Sequence, residues 1–287
     1  MGAPLLEVAK MLRGPPGTSL TLRVGRNAMS EDFELSITRA LVNVESIEVR
    51  MEGDIGYVRV SAFNEKTHAA LRHALTELTT GGDKEIQGLV IDLRNNPGGL
   101  LEQALLVTSS FLESGKIVST VGRLKSEVRS FRADPEDITA GLPLAVLING
   151  STASASEIVS GALKDRGRAI ILGQRSFGKG SVQTIIPLSK DRGALRLTTA
   201  RYYLPSGESI QAHGVEPHIV NLVINYSPRE TDLENFLQAQ NRKLIDDAMT
   251  LSDVCPGSSV QNDPVLACAL LTLQSHRFSS IAAQLTE

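Results

Sequence analysis

Gly88-Leu89-Val90-Ile91-Asp92-Leu93-Arg94-Asn95-Asn96-Pro97-Gly98-Gly99 decides the fold. Its first half is a short apolar run closed by an aspartate. That is too short for a buried helix and suits a strand covered on both faces. Its second half is a cluster of turn formers, after which residues 100–112 resume a helical pattern. The same order recurs on both sides. Upstream, residues 57–60 read as strand and 65–78 as helix. Downstream, 143–148 is a second apolar strand closed by Asn149-Gly150, a helix runs from 154 to 163, and 169–172 is a further strand. Such alternation implies an α/β fold with a mostly parallel, helix-covered sheet. Residues 182–187 and 195–203 read as an antiparallel addition around Lys190-Asp191-Arg192-Gly193.

Outside this block the pattern changes. Residues 4–13 predict a short helix with Leu5, Val8, Ala9 and Leu12 on one face, stopped by Gly14-Pro15-Pro16-Gly17. Two alternating strands follow over 19–24 and 33–38, with Gly25-Arg26-Asn27 between them. One helix and a hairpin cannot bury a core alone. Residues 1–40 therefore read as the back half of a small domain whose front half is missing. Beyond Val223 the chain is polar, with helices expected over 231–249 and 264–274. The expected divisions are 1–40, 41–223 and a helical C-terminal tail, 224–287.

Composition narrows the function. Of 287 residues, 41% are hydrophobic and 21% charged, which is ordinary globular usage and excludes disordered, collagen-like and coiled-coil chains. Lys and Arg number 29 against 32 Asp and Glu, no basic block stands out, and Trp is absent, which argues against nucleic acid as partner. No apolar stretch approaches the roughly 20 residues of a membrane helix. Met1-Gly2-Ala3-Pro4-Leu5 does not read as a signal peptide. Cys255 and Cys268 are too few for a metal cluster and read as two free thiols, with one disulfide as the alternative. His68 and His73 match no metal-ligand spacing and read as surface residues.

Chemistry points to two strand-to-helix turns, since ligands of open α/β sheets bind beyond the carboxyl ends of strands. In the first turn, Gly98 and Gly99 let backbone N–H groups approach a substrate oxygen. The second is Asn149-Gly150-Ser151-Thr152-Ala153-Ser154-Ala155-Ser156-Glu157. An uncrowded serine at a helix start suits a nucleophile. Ser154-x-x-Glu157 equally fits a capping box, in which the serine only satisfies helix N–H groups. No histidine lies near these turns, but a Ser–Lys arrangement needs none. It needs a neutral lysine, because an ammonium has no lone pair to take the proton. Lys179, between Gly178 and Gly180, is placed for that role, and Gln183 on the following strand could orient it. The same lysine ends Gly173-x-x-x-x-Gly178-Lys179, a phosphate-loop pattern, although Gly180 stands where Ser or Thr should ligate magnesium.

Four segments occur in order: Gly53-Asp54-Ile55-Gly56-Tyr57-Val58-Arg59-Val60, the Asp92 to Gly99 turn, Thr152-Ala153-Ser154-Ala155-Ser156-Glu157-Ile158, and Phe177-Gly178-Lys179-Gly180-Ser181-Val182-Gln183. Together they resemble the carboxyl-terminal processing peptidases, also called tail-specific proteases, over essentially residues 1 to 220. Ser154 and Lys179 lie 25 positions apart, and Gln183 follows four later, in the family's pattern. The resemblance implies a crotonase/Clp-protease-like core. It assigns Ser154 as nucleophile, Lys179 as general base and Gln183 as the group that orients the lysine. The N–H groups of Ala155 and of Gly98 or Gly99 would form the oxyanion hole, with Glu157 and Asp165 in support. Peptide bonds near the carboxyl terminus would be cut through an acyl-serine ester, without metal or cofactor.

By the same resemblance, the N-terminal helix and hairpin are the second half of a PDZ domain, which takes tails by β-augmentation. The strand and carboxylate-binding loop that should precede them lie upstream of Met1, as does the family's signal peptide, so a truncated chain is expected. His218 stands where an acidic residue is more usual and reads as a tolerated surface change. The implied partners are protein or peptide substrates with accessible carboxyl-terminal tails, and a homo-oligomer or an adaptor besides. The implied location is the bacterial periplasm or cell envelope. The competing expectation is a non-catalytic peptide- or ligand-binding module on the same fold. Intact Ser154, Lys179 and Gln183 favour the enzyme.

Overall fold

The computed structural model describes residues 5–25, 32–41, 45–80, 85–124, 126–134, 137–188, 193–222, 229–233, 237, 249–257 and 262–284. Two compact units divide the chain, Met1–Glu45 and Ser46–Glu287. In the first, helix α1 (Leu5–Leu12) precedes an antiparallel hairpin of β1 (Ser19–Val24) and β2 (Phe33–Thr38), with Ser19 opposite Thr38. The Arg39 guanidinium donates to the carbonyls of Met11 and Leu12 at 3.1 and 2.9 Å and to the Thr18 hydroxyl at 2.9 Å, tying the helix end to the hairpin. No described side chain of this unit is buried.

The second unit runs β3 (Ile47–Glu52), β4 (Ile55–Val60), α2 (Thr67–Thr80), β5 (Gly88–Asp92), α3 (Leu101–Ser109), β6 (Lys116–Gly122), β7 (Val128–Arg132), β8 (Leu144–Ile148), α4 (Ala155–Asp165), β9 (Ile170–Gly173), β10 (Ser181–Pro187), β11 (Ala194–Tyr203), β12 (Ile219–Val220), β13 (Met249–Thr250), α5 (Leu251–Val254), α6 (Pro264–Leu273) and α7 (Ser275–Gln284). Among the described residues its main sheet has the order β13-β12-β9-β8-β5-β4-β3. Every pairing is parallel except that of β3 with β4. A second sheet, β10-β11-β6-β7, is antiparallel. The α/β class with a mostly parallel sheet is therefore as the sequence indicates.

Period-two alternation splits the apolar strands between two cores. Leu89, Ile91, Leu144, Val146, Ile148 and Ile171 face one core, filled by α2, α3 and α4 through Leu71, Leu75, Val107, Ile158 and Val159. Val90, Ala145, Leu147, Ile170 and Leu172 face the other, covered by Leu251, Val265, Cys268, Ala269, Leu273 and Ile281. The expected boundary at residue 223 thus separates nothing compact, because the sheet's second face stays uncovered without α5 to α7. The two cysteines are not free thiols: Cys255 and Cys268 form a disulfide, buried where α5 meets α6. The helix expected over 231–249 falls mostly outside the described residues, with only a 3₁₀ turn at Glu230–Asp232 on its near side. His218 is no surface residue. Its Nδ1 accepts the Ile171 N–H at 3.1 Å, its own N–H donates to the Ile171 carbonyl at 2.8 Å, and burial, helped by the charge of Lys164, pushes its pKa down to about 4. His68 is also half-buried, 3.2 Å from the Ser110 hydroxyl, whereas His73 is exposed beside Glu77. Among the described residues, no helix is long and apolar enough to cross a membrane.

Candidate active site

Three neighbouring parallel strands, β5, β8 and β9, end on the same side and deliver the segments 93–99, 149–154 and 174–180. Hydrogen bonds lock these segments together. The Ala153 N–H and the Ser156 hydroxyl both donate to the Asn96 carbonyl at 3.0 Å, and the Thr152 hydroxyl donates to the Leu93 carbonyl at 2.8 Å. Asn95 and Asn149 exchange bonds: the Asn95 N–H donates to Asn149 Oδ1 at 2.9 Å, and Asn149 Nδ2 donates to Asn95 Oδ1 at 2.8 Å. The Phe177 N–H reaches the Thr152 carbonyl at 3.0 Å. Turn-forming polar residues are needed here because the crossing loops must satisfy one another's backbone away from water.

Ser154 has φ 57° and ψ −114°, a costly conformation for a residue with a Cβ. The Ser154/Glu157 pair is arranged as a capping box, and Glu157 Oε2 accepts the Ser154 N–H at 2.7 Å, yet the serine hydroxyl makes no cap hydrogen bond. The capping account thus covers the glutamate and leaves the hydroxyl unexplained. Glu157 does more than cap. Its Oε1 accepts the Ser176 hydroxyl at 2.6 Å and the Gly178 N–H at 2.7 Å, while Oε2 also accepts the Lys179 N–H at 2.9 Å. Burial pushes its pKa up to about 7, against the pull of these four donors. One buried carboxylate oxygen therefore holds the backbone of both Ser154 and Lys179.

Lys179 is half-buried at the end of this segment, and the next N–H, that of Gly180, donates to Oε1 of the fully buried Gln211 at 3.1 Å. Among the described residues no hydrogen bond joins the side chains of Ser154 and Lys179. Catalytic contacts are often long before substrate binds. Gln183 lies in β10 opposite Thr198, just past a bulge, with its side chain exposed and not bonded to Lys179. Asp165 ends α4 exposed, and its Oδ2 accepts the Ser206 N–H at 2.8 Å, tying that helix end to a neighbouring turn.

The two glycines expected at the oxyanion hole behave differently. The Gly98 N–H is taken by Asn96 Oδ1 at 2.8 Å. Among the described residues, the N–H groups of Gly99 and Ala155 have no acceptor. A Cβ on Gly98 would lie 2.7 Å from the Ala153 carbonyl oxygen and 2.9 Å from the Ala155 nitrogen, so the glycine turn is pressed against the serine turn. A Cβ on Gly99 would lie 2.1 Å from the Phe63 carbonyl oxygen. The arrangement offers a hydroxyl on a strained helix start, an amine-bearing residue on the adjoining segment, and two N–H donors on either side. The phosphate-loop alternative fails locally, because Lys179 leads into strand β10 rather than into the helix whose N-terminus such a loop needs.

Two participants escape sequence inspection, Gln211 and the full reach of Glu157. The capping-box spacing signals the glutamate's local role but not its bonds to the lysine segment.

Residues 54–221 match the family model of Peptidase family S41. A carboxy-terminal-processing protease of Bartonella bacilliformis is 50% identical over 220 residues, covering 76% of this chain and 50% of that protein. A carboxyl-terminal-processing protease of Synechocystis is 36% identical over 216 residues, covering 74% and 49%. Among solved structures, the photosystem II D1 C-terminal processing protease is similar with a TM-score of 0.59 and 34% identity, over 76% of this chain and 59% of that one. The chain spans about half the length of the curated relatives it matches.

Proposed function

Because the chain belongs to peptidase family S41, we propose that it is a serine endopeptidase that cuts protein substrates near their carboxyl termini, with Ser154 as nucleophile and Lys179 as general base. The observation that carries this is the Glu157 carboxylate, which accepts the N–H groups of Ser154 and Lys179 at 2.7 and 2.9 Å while the serine hydroxyl is left out of the helix cap. The Lys179 amine takes the hydroxyl proton as Ser154 Oγ attacks the scissile carbonyl. Negative charge then develops on the carbonyl oxygen, between the N–H groups of Ala155 and Gly99 and at the positive end of α4. The lysine ammonium returns the proton to the departing amine. Water, deprotonated by the same lysine, attacks the acyl-serine ester, and the lysine passes that proton to the departing Ser154 Oγ. Gln183 is assigned to orient the amine in the substrate complex, and Glu157 and Asp165 are assigned to support the helix that carries Ser154.

The relatives' names speak of carboxyl-terminal processing, and we carry that substrate class to this chain. Residues 1–40 are read as part of a PDZ-type module that takes peptide tails, and the bacterial periplasm or cell envelope as the place of work. The test is cleavage of an unstructured protein bearing either an apolar or a charged carboxyl-terminal tail, with fragments weighed by mass spectrometry. Cuts near the carboxyl-terminal end, lost in Ser154→Ala and with little difference between the two tails, are expected. Absence of cleavage, or cleavage that survives Ser154→Ala, refutes the proposal.

A further inference from the structure

Arg94 opens the turn that presses on Ser154, and its guanidinium is shared between two carboxylates on the face of the sheet covered by α6. Nε and Nη2 donate to Asp92 at 3.0 and 2.6 Å, while Nη1 and Nη2 donate to Asp263 Oδ1 and Oδ2 at 2.9 and 2.8 Å. Asp92 is buried and also accepts the Tyr57 hydroxyl at 2.8 Å and the Arg94 backbone N–H at 2.9 Å. Asp263 is the N-cap of α6 and accepts the Leu266 N–H at 3.1 Å. It lies 169 positions after Arg94 and outside the residues that match the family model.

The helix that presents Asp263 is firmly seated. Val265, Cys268, Ala269 and Leu273 are buried against the sheet, and Cys268 is bonded to Cys255. A paired, two-pronged Arg–carboxylate contact fixes direction as well as distance. Past Arg94 the described residues of the turn have no second charged fork and are held by neutral bonds: Asn95 with Asn149, Asn96 Nδ2 to the Val60 carbonyl at 2.8 Å, and the Phe63 N–H to the Gly98 carbonyl at 3.0 Å, around a backbone with φ 60° at Asn95, 99° at Gly98 and 147° at Gly99. Burial disfavours the charge on Asp263, but the hydrogen bonds and charge of Arg94 outweigh it and hold the carboxyl below its usual range.

We infer that Asp263 is a positioning residue for the peptidase reaction: through Arg94 it sets the turn whose Gly99 N–H meets the oxyanion. The inference rests on the proposed peptidase activity, and gives the segment beyond residue 250 a part in it. Asp263→Asn is the informative variant, because asparagine caps a helix as well as aspartate does but cannot form the charged fork. Two readouts are taken on the full chain: steady-state cleavage of a peptide, and amide hydrogen exchange of residues 94–99 and of α6. Expected for Asp263→Asn are a kcat lower by about tenfold with little change in KM, faster exchange at 94–99, and unchanged exchange in α6. Asp263→Glu, which keeps the charge, should recover part of the rate. Unchanged exchange at 94–99 overturns the inference whatever the rate does. So does faster exchange in the turn and α6 together, which marks a purely structural role. If the unaltered chain cuts nothing, the peptidase proposal fails, and the exchange comparison still decides whether Asp263 holds the turn.

Discussion

Replacing Glu157 tests whether one carboxylate holds the site together. It accepts four hydrogen bonds, from the Ser154, Gly178 and Lys179 N–H groups and the Ser176 hydroxyl. Glu157→Ala leaves all four donors without an acceptor, at about 1–3 kcal/mol each. The total is comparable with the whole stability of a domain, so that variant should fail to fold. Glu157→Gln is gentler. With its oxygen kept toward Ser154 and Lys179 and its amide toward Ser176, both the Gly178 N–H and the Ser176 O–H lose their acceptor, the serine oxygen already accepting the Val215 N–H at 2.6 Å. The expected cost is about 1–3 kcal/mol for each of the two in urea unfolding.

The pH profile gives a second reading of the same group. Burial raises Glu157 from 4.5 to about 7, so between these values the folded chain holds a proton that the unfolded chain has lost. Stability falls as pH rises through that window, and the contribution is gone above 7. His218 works the other way. Its pKa is depressed from 6.5 to about 4, so its contribution is full above 6.5 and is lost as pH falls toward 4. Each is worth about 3 kcal/mol, and they oppose one another between pH 4.5 and 6.5. The unaltered chain should therefore vary little there, Glu157→Gln should gain stability as pH rises, and His218→Asn should lose it. A Glu157→Gln variant with unchanged urea midpoint and unchanged pH profile refutes the clamp.

Ser154→Ala, Lys179→Ala and the double variant should lose cleavage to the same extent, since groups that act as a unit are not additive. Stepwise, multiplying losses in a cleavage assay would separate the two roles. Reducing Cys255–Cys268, 13 positions apart, should cost about 3 kcal/mol by chain entropy, read as a lower urea midpoint, and an unmoved midpoint would contradict the staple. Gly99→Ala should abolish cleavage because its Cβ would fall 2.1 Å from the Phe63 carbonyl oxygen at a φ of 147°. Near-normal turnover of that variant would mean that the turn is slack.

Much of the parallel core is legible because it is buried on both faces. Gly88–Asp92, Leu144–Ile148 and Ile170–Gly173 carry almost no polar residues, and turn formers punctuate them. The hairpin of Ser19–Val24 and Phe33–Thr38 is legible to the residue, from its alternation. Ile47–Glu52 and Val128–Arg132 escape detection because they are sheet edges rich in charge, and Lys116–Gly122 because, although Ser114-Gly115 stops the helix before it, its residues neither alternate nor are buried throughout. Spacing and resemblance make Ser154 and Lys179 legible as candidates. The bonds that hold them are not, since Glu157 reaches backbone groups some twenty positions away, and backbone donors leave no mark on a sequence. The pairing of Arg94 with Asp263 is hidden by sequence distance, and the disulfide by the need for α5 and α6 to pack first.

The central claim is that Ser154 is a nucleophile made reactive by Lys179. A fluorophosphonate, which bonds only to activated hydroxyls, tests it most directly, with the adduct mapped by mass spectrometry of peptides. Labelling of the unaltered chain at Ser154 alone, and its loss in Lys179→Ala under the same conditions, is the predicted result. Labelling at another serine, or equal labelling of Ser154 with and without Lys179, would contradict the account.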